Sequence, residues 1–529
     1  MISLEQFSKT AERIRELAIR ENRAIVNPSQ EELKLLLRKE SEVRETKYGN
    51  FVVESEPTSR AAMFTKNSVD DSFGEEELKL LTQCEEALSK ERLIFLDRIV
   101  GNQNSGTTVR IVVPERFAHL AYGGGNLFLN PRRRVENPTY QIIFFTDQTF
   151  EANKSRLLPE KDITIRIAML ADSRVIKIVR NSTYIGELKK GVFAAEDWTT
   201  KTKRGGIFLH AGCREDYLQS AHGDYRTVRT LLLALSANGK TTTTCKILAR
   251  KGKEKSWLIQ DDGGALMPDG SFYGFEGGGV FVKTEGVNPG EQAEIYYGLL
   301  KPGTMAENVH LSPDDDFDFY NLERTSNGRA VILRKDFMHA SIYIDVERVD
   351  NLILITRGPL IPAISKLTLE QAVALMILGQ AMESSAGDPT QAGKIRSEFF
   401  YDPFVAGNRV EHTNIFYDIL RNLPYQINCY LINTGGIGEG VHYKDIKLEH
   451  TLGILDSLLR GGLEDWTVSP TGLRIPRAIR TVDEIYLHPE KLYSRSEFEE
   501  KQKELNRLRR EAIEKIGDGL HPNIKKEGF

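Results

Sequence analysis

The sequence predicts a mixed α/β fold divided into two to four domains, and three observations carry that prediction. The chain has 529 residues, of which 40% are apolar and 28% charged, so it can bury a large core without disulfides or structural metals. Near residue 108 the pattern changes, and short β-rich runs bounded by turn residues begin to alternate with helical stretches. Finally, Thr230-Leu-Leu-Leu-Ala-Leu-Ser236 is an apolar strand that leads into Asn238-Gly-Lys-Thr-Thr-Thr-Thr244 and a helix.

The elements follow in chain order. The N-terminal stretch places Phe7, Ala11, Ile14 and Leu17 on one helical face. Residues 29–46 and 75–91 also carry helical spacing, and between them residues 48–60 form a strand-like run ending in a polar loop. Strands are predicted at 108–114, 140–146, 163–170, 174–180 and 206–212, then at 256–260, 330–334, 352–356 and 426–432. Helices interleave at 367–382, 414–423 and 450–459, and a charged amphipathic helix from about residue 495 reads as a solvated surface helix. The polar, basic stretch Lys201-Thr-Lys-Arg-Gly205 separates two strand-rich blocks, so the domains are set at 1–203 and 204–529.

Composition narrows the function. A formal net charge of −4 argues against a nucleic-acid partner. Cys84, Cys213, Cys245 and Cys429 are scattered without a CxxC pair, so neither a disulfide framework nor a zinc site is expected and a reducing compartment fits. Glu5, Glu12 and Glu16 are wrong for a signal or transit peptide. No apolar run approaches the ~20 residues a bilayer span needs, so the expectation is a cytoplasmic protein with no membrane partner.

Ala234-Leu-Ser-Ala-Asn-Gly239-Lys240-Thr241 sits where a phosphate-binding loop must sit, between an apolar strand and a helix. There Ser236, Ala237, Asn238 and Gly239 offer backbone to phosphate oxygens, Lys240 can reach the β- and γ-phosphates, and Thr241 can ligate Mg²⁺, with Thr242 beside it. The same residues also fit an ordinary helix N-terminus with a threonine-rich first turn. About twenty residues on, Trp257-Leu-Ile-Gln-Asp261-Asp262 closes an apolar run with two carboxylates, oxygen ligands of the kind hard cations need. In Gly274-Phe-Glu276-Gly-Gly-Gly279-Val-Phe-Val-Lys283 the glycines imply a close backbone approach, to a ligand or to another strand. Upstream lie Tyr184-Ile-Gly-Glu-Leu-Lys189-Lys190 and His210, unremarkable as isolated residues.

Taken in order, these segments resemble the ATP-dependent phosphoenolpyruvate carboxykinases, carboxy-lyases of gluconeogenesis. Met305-Ala-Glu-Asn-Val309, Asn327-Gly-Arg329, Ile361-Pro-Ala-Ile-Ser-Lys-Leu-Thr368 and Leu431-Ile-Asn-Thr-Gly435 continue the likeness. So do Asp97-Arg-Ile-Val-Gly101, Asn126-Leu-Phe-Leu-Asn-Pro131 and Thr58-Ser-Arg60, and together they span roughly residues 50 to 460. The resemblance implies a two-domain fold with a P-loop-type nucleotide-binding domain and an active site in the interdomain cleft. It further implies that oxaloacetate and ATP give phosphoenolpyruvate, ADP and CO₂. By resemblance Lys190, His210 and Asp262 hold Mn²⁺ or a similar divalent ion, while Lys240 and Thr241 serve ATP and its Mg²⁺. Asp261 supports the metal ligands, and Arg60 and Arg329 clamp the ketoacid carboxylates. Tyr184 packs against CO₂ or a carboxylate, and Lys189 and Lys283 neutralise charge on the transferring phosphoryl group. This chain departs from the family at Ala234, at Gly263-Gly264-Ala265-Leu266, around Arg60, at Leu452 and over Ser384 to Gly407. Those departures keep two other readings open: a kinase on the same scaffold with a different acceptor, and a nucleotide-binding regulator without turnover.

Overall fold

The computed structural model describes residues 2–55, 61–153, 163–235, 238–250, 252–382 and 395–529. It is a mixed α/β chain of two compact units, Met1–Thr199 with Gly274–Ala340, and Thr200–Tyr273 with Ser341–Phe529. The first break falls beside the Lys201–Gly205 stretch that marked the boundary in the sequence. The second differs from the 204–529 assignment, because residues 274–340 belong with the first unit. The physical reason is a long-range pairing. Met305–Glu307 lies parallel to Phe51–Val53 in a five-stranded sheet that also holds Gly279–Lys283, Arg329–Leu333 and Val43–Glu45.

The main sheet of the first unit has seven strands, ordered Ala24–Val26, Leu93–Val100, Thr107–Pro114, Tyr140–Phe145, Val175–Arg180, Thr164–Met169 and Thr65–Asn67. The helix Glu5–Arg20 buries Phe7, Ala11, Ile14 and Ala18, and Glu75–Leu88 buries Leu80, Leu81, Cys84 and Leu88. They cover Phe95, Val112, Ile143 and Ile178 of the sheet. Ala18 replaces the predicted Leu17, which is half-buried. The helical spacing read over 29–46 is realised only as Gln30–Leu37, started by a Ser29/Glu32 capping box. Beyond it Val43–Glu45 is drawn into the five-stranded sheet by Phe51–Val53.

The second unit is built on an eight-stranded sheet. Its order is Lys255–Gln260, Ala211–Gln219, Tyr225–Ala234, Asn351–Thr356, Asn428–Asn433, Ile364–Leu367, Arg474–Ile475 and Thr467–Val468. The central strands Tyr225–Ala234, Asn351–Thr356 and Asn428–Asn433 are parallel and buried, which explains their continuous apolar runs. Helices Leu369–Leu378 and Arg409–Asn422 pack on one face, and Leu448–Leu459 on the other. The tail forms Arg495–Lys515 as predicted, but it buries Phe498, Gln502, Arg509 and Ile513 and packs on Leu369–Leu378. It is therefore part of the unit and not a wholly solvated helix. A four-stranded sheet of Ile207–Leu209, Gly264–Leu266, Phe272–Gly274 and Asp345–Val346 flanks the central one.

Candidate active site

In the second unit three predicted residues meet. His210 follows the strand Ile207–Leu209, and Asp262 follows the strand Lys255–Gln260. Lys240 opens the six-residue helix Lys240–Cys245 after Gly239, whose φ of +88° is a left-handed conformation that suits glycine. His210 Nε2 lies 2.9 Å from Asp262 Oδ1, and Lys240 Nζ forms an ion pair with the same oxygen. Lys240 also donates to the His210 carbonyl at 3.2 Å. The Tyr401 carbonyl stands 3.2 Å from His210 Nδ1. A carbonyl and a carboxylate oxygen both only accept, so in this arrangement Nδ1 donates to Tyr401 and Nε2 donates to Asp262. The bond from Nδ1 is of the kind by which protein groups aim a metal-ligating histidine.

The loop around Lys240 is held from several sides. Asn238 is buried, and its carbonyl accepts from Thr434 Oγ1 at 3.0 Å. The hydroxyls of Thr243 and Thr244 donate back to the carbonyls of Gly239 and Lys240, at 2.7 and 2.8 Å. Thr241 and Thr242 are half-buried, and Asp261 is buried beside Asp262. Ser236 and Ala237, predicted to line this loop, lie outside the described residues, as does Arg60 in the first unit.

In the first unit the predicted lysines belong to a buried charge cluster. The helix Gly186–Thr199 carries Glu187, Lys189 and Lys190. Glu187 Oε1 accepts from Lys190 at 2.7 Å and Oε2 pairs with Lys177 at 3.0 Å. Burial works to raise the Glu187 carboxyl, but Lys177 and Lys190 overcome it and hold it at about 2. Burial also pushes the Lys177 ammonium down, against the pull of Glu187. Lys190 sits over the ring of buried Tyr184, 5.2 Å from its centroid. Lys189 pairs with Glu276 at 3.0 Å and lies over Phe193 and Phe281. Lys283 and Arg329 are directly opposite in the five-stranded sheet, Arg329 is also opposite Glu307, and Lys283 pairs with Glu285.

The glycines after Glu276 have a plain explanation. A Cβ on Gly278 would lie 2.4 Å from the Phe128 carbonyl oxygen, and one on Gly279 would lie 2.8 Å from that of Asn126. The close approach is therefore to the chain at 126–128.

Sequence reasoning did not assign roles to Lys177, Glu187, Arg214, Asp216, Tyr401 or Thr434. A signal existed for some of them. Lys177 interrupts an apolar strand, and Arg214 and Asp216 fall on one strand face by their spacing of two. Tyr401 gave none, because it acts through its backbone.

Comparison with known proteins gives the family. The family model described as phosphoenolpyruvate carboxykinase matches residues 12–485. A phosphoenolpyruvate carboxykinase (ATP) of Aeropyrum pernix is 31% identical over 60% of this chain, and the chain spans 63% of that relative, just under two thirds of its length. Proteins of the same name from Christiangramia forsetii and Neurospora crassa are 27% and 26% identical. Those two alignments cover 75% and 83% of this chain, and 73% and 71% of the relatives. Each of these relatives bears the name of an ATP-dependent carboxykinase. The chain belongs to the phosphoenolpyruvate carboxykinase family. No helix among the described residues is long and apolar enough to cross a membrane.

Proposed function

We propose that this chain converts oxaloacetate and ATP to phosphoenolpyruvate, ADP and CO₂, by decarboxylation followed by phosphoryl transfer to the enolate. The observation that carries the reading is the meeting of His210 and Lys240 on one oxygen of Asp262. Asp262 and His210 offer an oxygen and an imidazole nitrogen suited to Mn²⁺ or a similar divalent ion, once Nε2 gives up the proton it directs at Asp262. A third ligand, by resemblance, is Lys190. It must first leave Glu187 and lose its proton, since an ammonium has no lone pair to give. Such a metal would supply positive charge opposite the developing enolate.

The chain's own groups account for the rest of the proposal. Lys240 has two anionic claims on it, Asp262 in the structure described and the phosphates of ATP when they arrive. Its release from Asp262 would couple nucleotide binding to the readiness of that carboxylate for a metal. Thr241 would ligate the Mg²⁺ that accompanies ATP, and Ser236, Ala237, Asn238, Gly239 and Thr242 would face the phosphates with their backbone and hydroxyls. Arg329, with Arg60, would clamp the carboxylates of oxaloacetate through guanidinium forks. Lys189 and Lys283 would offset charge on the moving phosphoryl group, and Tyr184 would pack against CO₂ or a carboxylate. Asp261 would steady its neighbour Asp262.

The test is phosphoenolpyruvate formation from oxaloacetate and ATP with Mn²⁺ and Mg²⁺ present, and with GTP in parallel. Metal-dependent product, greater with ATP than GTP, is expected. ATP binding without product would instead favour a kinase with another acceptor.

A further inference from the structure

The strand Ala211–Gln219 does more than carry His210 at its head. Two residues on, a Cβ at Gly212 would lie 2.3 Å from Thr244 Oγ1 and 2.8 Å from the Asp261 carbonyl oxygen. The helix of Lys240 and the chain at Asp261 therefore close onto the strand at its one position without a side chain. Another two residues on is Arg214, only 1% exposed. Its guanidinium grips Asp216 with two bonds, of 2.7 and 2.8 Å. The remaining donors reach the Thr243 carbonyl at 2.6 Å and the Lys246 carbonyl at 2.8 Å. Asp216 is fixed in turn by Ser256 Oγ at 2.7 Å.

A helix of six residues leaves most of its carbonyls without an intrahelical donor, and it is too short to be stable by itself. A buried cation at its C-terminal end meets that deficit and opposes the negative end of the helix dipole. The rest of the core gains little from the same bonds, because both carbonyls belong to this one turn of chain.

We infer that Arg214 is a positioning residue for nucleotide binding, holding the helix Lys240–Cys245 so that Lys240 and Thr241 are presented in a fixed place. The inference rests on the proposed nucleotide role of Lys240. Arg214 touches no substrate; it acts through the backbone at Thr243 and Lys246. A lysine at 214 keeps a charge for Asp216 but lacks the fork that serves both carbonyls at once.

The experiment compares wild type, Arg214→Lys and Arg110→Lys by fluorescent-ADP binding and by amide hydrogen exchange. Arg110 makes an equally buried fork with Asp97 in the first unit and serves as the control for simple loss of a core ion pair. Urea unfolding of each variant sets conditions under which all are folded. For Arg214→Lys the expected result is ADP affinity weakened by about tenfold, faster exchange confined to residues 240–246, and an unchanged KM for oxaloacetate. Arg110→Lys is expected to bind ADP as wild type does. If Arg214→Lys binds ADP as tightly as Arg110→Lys, Arg214 is only a core ion pair and the proposal is overturned. If wild type binds no adenine nucleotide, the functional reading fails first and the proposal falls with it.

Discussion

The two units each carry a cluster of opposite charges, and the clusters are built on different terms. In the first unit Lys177, Glu187, Lys189 and Glu276 have side chains 6% exposed or less, and each cation faces a committed acid. In the second unit His210 and Asp262 are 23% and 18% exposed, and Asp262 Oδ1 is shared by two cationic or potentially cationic partners. A buried pair loses several kcal/mol when either partner goes, because the other is left as a lone charge in a poor solvent. A half-open pair can exchange one partner for water or a ligand at little cost. The pairs Lys177–Glu187 and Lys189–Glu276 therefore read as a fixed scaffold of charge, while Lys190, 18% exposed, and the Asp262 cluster read as exchangeable.

Substitutions can break that contrast. The largest effect is expected for Lys240→Ala and Asp262→Ala, each lowering phosphoenolpyruvate formation by about 10³-fold or more while the fold is kept. Activity near wild type in either, measured beside circular dichroism, would remove the proposed mechanism. Glu187→Gln should do the converse first, destabilising the fold by about 3–5 kcal/mol in urea because Lys177 loses its counter-charge. Asp262→Asn should cost less, about 1–2 kcal/mol in the same experiment, because buried Lys240 keeps its bond to the His210 carbonyl. Equal destabilisation by the two would erase the distinction drawn between the clusters.

A pH experiment sharpens the view of the first unit. His119 is buried, with Nδ1 2.7 Å from Glu40 and Nε2 2.9 Å from the Thr183 carbonyl. Burial works to lower its pKa, but Glu40 and Thr183 prevail and raise it to about 9. The folded state thus binds a proton that the unfolded chain releases near pH 6.5. The resulting stability is fully present below about pH 6.5 and is lost as pH rises through about 9, a decline of about 3 kcal/mol. Urea midpoints from pH 6 to 9.5 should show this slope in wild type and a flatter one in His119→Gln. A further loss, of about 1–3 kcal/mol, is expected for Gly212→Ala from the clash with the Asp261 carbonyl and Thr244. A neutral outcome would show that the helix can move away, against a rigid setting for Lys240.

Much of the second unit was legible because its signals are local. The apolar runs of the parallel strands and the spacing of Arg409–Asn422 and Leu448–Leu459 each needed only a short window of sequence. The strand Ala211–Gln219 was only half seen, since Arg214, Glu215 and Asp216 look like solvated loop. They are tolerated because Arg214 and Asp216 neutralise each other inside, while Glu215 pairs with Arg229 across the sheet. The chemistry-bearing residues were found as types at spacings, and the order of motifs supplied their joint meaning.

By itself the sequence determined the α/β class, most elements, the glycine-lysine-threonine turn and the family to which the chain belongs. These follow from periodicity, turn chemistry and motif order, all of which survive without knowing what touches what. Only the tertiary structure decided that residues 274–340 join the first unit, because a parallel pairing of Phe51–Val53 with Met305–Glu307 leaves no trace in either segment alone. It also decided that Tyr401 orients His210 and that Arg214 braces the helix of Lys240. Backbone carbonyls accept in both cases, and every residue has one, so no residue type could announce them.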